Sequence, residues 1–125
     1  METDFQSDDL LPWDANSVAF SQHSISTADN DNWKWENIRA CNAFMQDYEL
    51  SPETEAVKHR YAGEILFFKT LDYFNKVKRF GDVPWYDKVL VPGDEDLYKG
   101  RDSRITVVAN MIKAVSYTHL TLPTN

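Results

Sequence analysis

Apolar side chains recur every three or four residues in three segments of the chain, a period typical of helices that bury one face. The first segment carries its repeating face at Trp33, Asn37, Cys41, Phe44 and Tyr48. The second and longest is predicted to form a helix from Pro52 to about Arg79, and the third from Arg104 to Ala114. The pattern therefore predicts an all-α fold.

Local signals mark the ends of the second predicted helix. Ser51 is expected to cap it, with Pro52 at the first helical position. Lys78 and Arg79 lie in the last turn, and Gly81 is expected to end the helix with a positive φ. Two neighbouring stripes run along this helix: Val57, Tyr61, Ile65 and Phe68, and Glu64, Phe67, Leu71 and Phe74. So wide a band predicts contact on two sides.

The short linker between the first two helices predicts an antiparallel hairpin, the unit of tetratricopeptide-like repeats. Its contact is expected to involve Trp33, Cys41 and Phe44 on one helix and Tyr61, Ile65 and Phe68 on the other. A long irregular loop, residues 82–100, follows. Asp102 or Ser103 is expected to cap the third helix, whose inward positions are predicted to be Ile105, Val108, Met111 and Ile112.

Both ends of the chain differ from this helical part. Residues 1–30 are polar and lack a sustained period, which predicts an irregular lead-in before a helical region over 31–114. Residues 115–124 equal the translation of the end of a transposase-type sequencing-library adapter, so residues 115–125 are interpreted as an artefact tail. A short β-branched strand is the biological alternative for this segment.

Composition and spacing exclude several functions. A formal net charge of −7 argues against nucleic-acid binding, and Cys41, the single cysteine, excludes an internal disulfide. No apolar run is long enough to span a bilayer. Neither a metal-ligand cluster nor a cofactor motif is present, and Glu64 and Asp72 lie roughly 12 Å apart along one helix, too far for paired carboxylate catalysis. We therefore expect no catalytic, metal or cofactor site.

Four residues are candidates for ligand recognition. Trp35, Trp85 and Tyr86 offer aromatic faces on which sugar rings stack, and Asp87 offers a carboxylate for hydroxyl groups. Core packing or contact with a partner is the alternative role of these aromatic residues. Gly63, within the long helix, predicts the close approach of another helix.

A combination of motifs identifies a resemblance. The first helix carries W-x-W-x-x-I-x-x-C-N-x-F, and R-x-x-G-E follows at Arg60, Gly63 and Glu64. The long helix ends in F-G-D-V-P, which comprises Phe80, Gly81, Asp82, Val83 and Pro84, and Arg101 and Asp102 open R-D-S-R. Together these motifs resemble the SusD/RagB family of nutrient-binding outer-membrane lipoproteins, over roughly residues 32–114.

The resemblance implies a tetratricopeptide-like scaffold in a lipid-anchored protein at the outer-membrane surface. Its partners would be a TonB-dependent, SusC-like transporter and an oligosaccharide or other nutrient, and it would bind rather than catalyse. Members of the family are several times longer and carry a signal peptide and a lipid-bearing cysteine, so this chain is expected to be an internal fragment that lacks most of the ligand site. A soluble tetratricopeptide-like interaction module is the alternative, although no regular thirty-four-residue repeat is found. An enzyme of glycan metabolism is a third hypothesis.

The tail interpretation predicts the effect of a truncation. Deleting residues 115–125 should leave the cooperative unfolding of the remainder essentially unchanged, because no core was selected around an adapter-derived segment. Thermal unfolding followed by circular dichroism is the measurement. Loss of cooperativity in the truncated chain would contradict the interpretation.

Overall fold

A computed structural model describes the backbone of residues 33–121 and the side chains of residues 33–117. The lead-in predicted for residues 1–30 lies outside this described part. The α-helices within it are α1 (Glu36–Asp47), α2 (Glu55–Phe80) and α3 (Arg104–Thr121). Short 3-10 helices cover Tyr48–Leu50 and Glu95–Tyr98, and one antiparallel bridge joins Val83 to Asp102. These elements confirm the all-α prediction.

Each helix runs antiparallel to the next. Trp33, just before α1, contacts Phe80 at the end of α2, with ring centroids 4.8 Å apart. At the other end of the pair, Lys58 Nζ in α2 donates to the carbonyl oxygen of Glu49, after α1, at 3.0 Å. α2 also packs against α3, which begins beside the end of α2 because the Val83–Asp102 bridge joins the two connecting segments. The predicted hairpin of the first two helices is therefore confirmed.

The prediction for the ends of α2 is half correct. Gly81 has a φ of 72° and its N–H donates to Val77, so the predicted glycine stop is confirmed. The predicted start is wrong, because α2 begins at Glu55 with Thr54 before it. The Ser51 hydroxyl instead accepts the N–H of Glu53 at 3.4 Å, a local turn that competes with helix formation.

The inward face of α2 differs from both predicted stripes. The buried positions are Ala62, Gly63, Lys69, Tyr73 and Lys76. About half of the surface is exposed in each of five large apolar residues on the two stripes: Tyr61, Phe67, Phe68, Leu71 and Phe74. The prediction failed because α2 is aromatic on opposite sides, and because two lysines occupy buried positions that hydropathy assigns to the surface. Their long alkyl stems pack in the interior while the ammonium groups reach polar partners.

The predicted faces of α1 and α3 are corrected in part. Cys41 is buried as predicted, but Ile38 contributes the main apolar side chain of α1 to the core, and Phe44 is only half-buried. In α3, Met111 is buried as predicted, and Val107 is buried beside it. Ile105, Val108 and Ile112 are exposed, because the side of α3 that faces α2 is the opposite one.

The core cluster combines helix and loop residues. It comprises Ile38, Tyr73, Val83, Trp85, Val107 and Met111, with Trp33, Trp35, Val77 and Phe80 packed around it. The connection between α2 and α3 therefore supplies two of the six buried members. The loop is part of the fold rather than an appendage.

The predicted end of α3 at Ala114 is wrong, because the helix continues to Thr121. No proline or glycine interrupts residues 115–121, and Pro123 is the first residue that opposes further helix. Val115 and Tyr117 are half-buried. Because these residues belong to α3 and are half-buried, the truncation at residue 115 is a stringent test.

The corrected faces predict unequal costs for two truncations. Ile38→Ala should lower the free energy of unfolding by about 3 kcal/mol, since this side chain is fully buried. Phe68→Ala should cost less than about 1 kcal/mol, since Phe68 is 57% exposed and gains little apolar burial on folding. Urea unfolding measures both. Equal costs at the two positions would show that the outward face of α2 is not the one described.

Candidate binding cleft

The two motif segments on either side of the long loop lie together. The N–H of Asp102 donates to the carbonyl oxygen of Val83 at 3.2 Å, forming the bridge between them. Asp82 Oδ1 accepts the N–H of Arg104 at 2.8 Å, so F-G-D-V-P also supplies a cap for the first turn of α3. Ser103 Oγ accepts the N–H of Thr106 at 3.3 Å, which confirms Ser103 as a cap. The segments are thus joined through backbone and carboxylate contacts that close the base of the loop.

Tyr73 fixes the next residues of the loop to α2. Its hydroxyl donates to the carbonyl oxygen of Pro84 at 3.4 Å and accepts the N–H of Tyr86 at 2.9 Å. The side chain is fully buried, and burial raises the pKa of its phenol. The hydroxyl therefore stays protonated and serves as both donor and acceptor.

Asn42 holds the same loop from α1. Its Nδ2 group donates to the carbonyl oxygens of Tyr86 and Lys88, each at 3.1 Å. The residue is 3% exposed, and within the described part of the chain its Oδ1 atom has no hydrogen-bond partner. α1 thus positions a loop that is more than forty residues away in the sequence.

Trp85 and Asp87, two of the predicted ligand residues, have structural contacts. The Trp85 ring is buried and stacks on Tyr73 at a centroid distance of 4.2 Å. Its Nε1–H donates to Asp87 Oδ1 at 2.7 Å, and Lys69 Nζ donates to the same oxygen at 3.2 Å. Burial lowers the pKa of Lys69, an effect that Asp87 opposes. The structure places Trp85 in the core, which was the alternative role.

Trp35 and Tyr86, the other two predicted residues, line an open cleft of about 650 Å³ between the start of α1 and the long loop. Their ring centroids lie 5.5 Å apart in an edge-to-face arrangement, and Trp33 contacts Trp35 in the same way at 5.2 Å. The remaining lining residues are Trp33, Glu36, Ile38, Arg39, Asn42, Pro84, Lys88, Leu90, Leu97, Lys99, Gly100 and Arg101. The cleft combines aromatic surface with several groups that form hydrogen bonds.

Cations lie over the aromatic rings of this cleft. Arg101 is 4.9 Å from the ring centroid of Trp33, and Lys99 is 4.9 Å from that of Tyr86. Lys76, from the buried face of α2, lies 5.2 Å from the Trp35 centroid. Each such contact contributes roughly 0.5 to 2 kcal/mol, depending on its exposure. These contacts orient the aromatic rings that line the cleft.

Trp85 and Asp87 belong instead to a second cleft, of about 520 Å³, which α2 and α3 share. Tyr48 and Tyr117 also line it, and burial together with the neighbouring Tyr117 raises the pKa of Tyr48 to about 12. The four predicted ligand residues, although three are consecutive, therefore divide between two clefts. Trp35 and Tyr86 share the first cleft, and Trp85 and Asp87 the second.

The motif residues Arg60, Gly63 and Glu64 lie on α2, outside both clefts. Arg60 Nε pairs with Glu64 Oε1, one turn further along α2, at 3.2 Å. Gly63 is buried on α2, and the close helix approach predicted for it stays a prediction. Sequence reasoning missed Asn42 and Tyr73 as anchors of the loop. The signal for Asn42 was its place beside Cys41, since a buried amide needs a partner.

Comparison with solved structures places this fold beside a known protein. No protein-family model and no curated protein matches the chain. The chain is similar to a SusD-like protein. That protein is from Bacteroides fragilis, and its crystal structure matches this fold with a TM-score of 0.77 and 29% sequence identity. The match covers 86% of this chain but 21% of the other, so the chain spans about a fifth of the length of its relative.

Two further observations concern the described residues alone. Among them, no helix is long and apolar enough to cross a membrane. No group of three His, Cys, Asp or Glu side chains in this part of the chain is arranged to hold a metal ion.

The contacts of Asp102 predict a dependence of stability on pH. Its Oδ2 accepts hydrogen bonds from the backbone N–H of Trp85, at 2.7 Å, and from Lys99 Nζ. The bond from Trp85 does most to lower the pKa of Asp102 below 3.8. A pKa lower in the folded state contributes stability above the unfolded value, and this is lost as pH falls through the folded one. Asp102→Asn should therefore be less stable at about pH 7, by an amount that shrinks below about pH 4. Urea unfolding across this range measures the difference, and a constant gap would contradict the assignment.

Proposed function

We propose that this chain is part of a SusD-like nutrient-binding protein of the outer-membrane surface. The observation that carries the proposal is the similarity to a SusD-like structure over 86% of the chain. The placement of the motifs supports it, because F-G-D-V-P and R-D-S-R meet at one bridge and hold the loop that forms a cleft. The proposed role is binding rather than catalysis.

The cleft at Trp35 and Tyr86 is the proposed contact with an oligosaccharide. Aromatic rings bind the apolar faces of sugar rings, while polar groups at the margin bind hydroxyl groups. Trp35 and Tyr86 provide the rings, and Arg39 and Lys88 lie at the margin. The volume of about 650 Å³ lies within the range of small-ligand sites, which is roughly 300 to 1,000 Å³.

The whole protein would contain more than this chain. Because the chain spans 21% of its relative, we propose that further sequence completes the ligand site. We also propose a lipid anchor and a TonB-dependent, SusC-like transporter as partner, which the sequence resemblance implies. The helical part described here would act chiefly as a scaffold that presents the cleft.

A helical protein-interaction module is the second candidate function. The outward face of α2 favours it, because Tyr61, Phe67, Phe68, Leu71 and Phe74 are exposed along four turns. Apolar patches of this kind commonly mark protein contacts. The two candidates differ in what removes binding: changes in the cleft for a sugar, and changes on this face for a peptide.

Binding assays on two lengths of the protein test the proposal. The isolated chain should bind oligosaccharides only weakly, at millimolar concentration, because a site completed by later sequence leaves much of its binding energy unrealised. A longer protein that contains this chain should bind its nutrient and co-purify with a transporter. Calorimetry against a glycan panel is the measurement, with Trp35→Ala as the cleft variant and Tyr61→Ala as an aromatic control outside the cleft.

Two results would contradict the proposal. One is a longer protein that binds no glycan and brings down no transporter. The other is binding that Tyr61→Ala removes and Trp35→Ala leaves intact, which would favour the interaction module.

A further inference from the structure

The cleft is rich in cations although the chain is acidic. Four cationic side chains line it, whereas Glu36 is the one acidic residue among its described lining residues. The chain as a whole has a formal net charge of −7. The cleft therefore concentrates positive charge on a molecule whose average field would repel an anion.

Two of these cations have carboxylate partners. Lys88 Nζ pairs with Asp96 at 2.8 Å, and Lys99 Nζ pairs with Asp102 at 3.0 Å. Lys99 also donates to the carbonyl oxygen of Trp85. Both lysines thus help to hold the loop, and their charges are already paired with carboxylates rather than available to a ligand.

The two arginines differ from the lysines. Within the described part of the chain, neither Arg39 nor Arg101 forms an ion pair with a carboxylate. Arg101 is exposed and lies over the Trp33 ring, while Arg39 is exposed on α1. By contrast, Arg60, outside the cleft, pairs with Glu64 on its own helix. The unpaired guanidinium groups therefore lie in the same cleft as Trp35 and Tyr86.

We propose that this cleft prefers acidic oligosaccharides, in which a carboxylate on the sugar binds Arg39 or Arg101 while a ring packs on Trp35 or Tyr86. A guanidinium group offers two parallel N–H donors that match the two oxygens of a carboxylate. The aromatic surface beside it matches the apolar face of a pyranose ring. The inference rests on the proposed function, because it names the class of sugar for that same cleft.

The decisive comparison uses one sugar in two charge states. Trigalacturonate carries a carboxylate on each ring, and its fully methyl-esterified form has the same backbone without the charge. The intact chain, labelled with ¹⁵N, should show chemical-shift changes with both sugars at millimolar concentration. The acid should bind roughly threefold to tenfold more tightly than the ester, because an exposed or half-exposed ion pair contributes a modest free energy.

Variants assign the preference to the arginines. Arg39→Gln should weaken binding of the acid more than binding of the ester and so reduce the preference, and it leaves the described core intact because Arg39 is exposed. Arg101→Gln should do the same. Arg60→Gln makes an equal change in net charge outside the cleft and should preserve the preference. Added salt should weaken binding of the acid more than binding of the ester.

The outcomes separate this inference from the proposed function. If acid and ester bind equally and both require Trp35, the charge preference is wrong and the sugar-binding cleft stands. If Arg60→Gln lowers the preference as much as Arg39→Gln does, the effect is one of net charge and the inference is wrong. Preference for a sulfated trisaccharide over trigalacturonate would also overturn it. If neither sugar shifts any resonance of the cleft, the inference fails together with the assignment of a sugar site to this cleft.

Discussion

The stacking of Tyr73 on Trp85, together with the two hydrogen bonds of the Tyr73 hydroxyl, is the interaction on which the rest of the structure depends. It attaches an irregular connection to the C-terminal half of the longest helix. An aliphatic side chain at position 73 would fill the core but leave the Pro84 carbonyl and the Tyr86 N–H without these partners, and unpaired buried polar groups are costly. The ring packs while the hydroxyl fixes the backbone, and only an aromatic alcohol does both. The position of Tyr86 in the cleft follows from this attachment.

Local sequence signals predicted the helices well, whereas contacts between helices decided which face of each helix is buried. The helical period found all three helices, and Gly81 ended α2 as expected, because both depend on short-range geometry. The choice of inward face failed on α2, since Phe67 and Phe68 are as apolar as the core residues and only the neighbours decide between the sides. The burial of Lys69 was equally unpredictable, because it depends on Asp87 and Trp85 in a separate segment.

The cleft was predictable only in part for the same reason. Trp35 and Tyr86 were selected for their chemistry, and the fold brings their rings within 5.5 Å. Trp85 has the same chemistry but points into the core, which a sequence of consecutive loop residues does not reveal. Asn42 positions the loop by donating to two carbonyl oxygens that are distant in the chain, which its residue type alone does not show. Residue type thus suggested what could bind a sugar, while long-range hydrogen bonds determined which residues face the opening.

The bridge between Val83 and Asp102 closes the long loop at its base. Lengthening such a closed loop costs little free energy, because the entropy of closure grows only slowly with the number of residues. Lys88, Leu90 and Leu97 form one wall of the cleft from within this closed segment, while Trp35 and Asn42 belong to the rigid side. Insertions and substitutions at residues 89–98, beyond the segment that Tyr73 and Asn42 hold, would therefore reshape the wall and leave the helix contacts in place. Such a division would allow the surface of the cleft to change on an unchanged framework, and it gives protein engineers a segment whose side chains can be altered apart from the helical core.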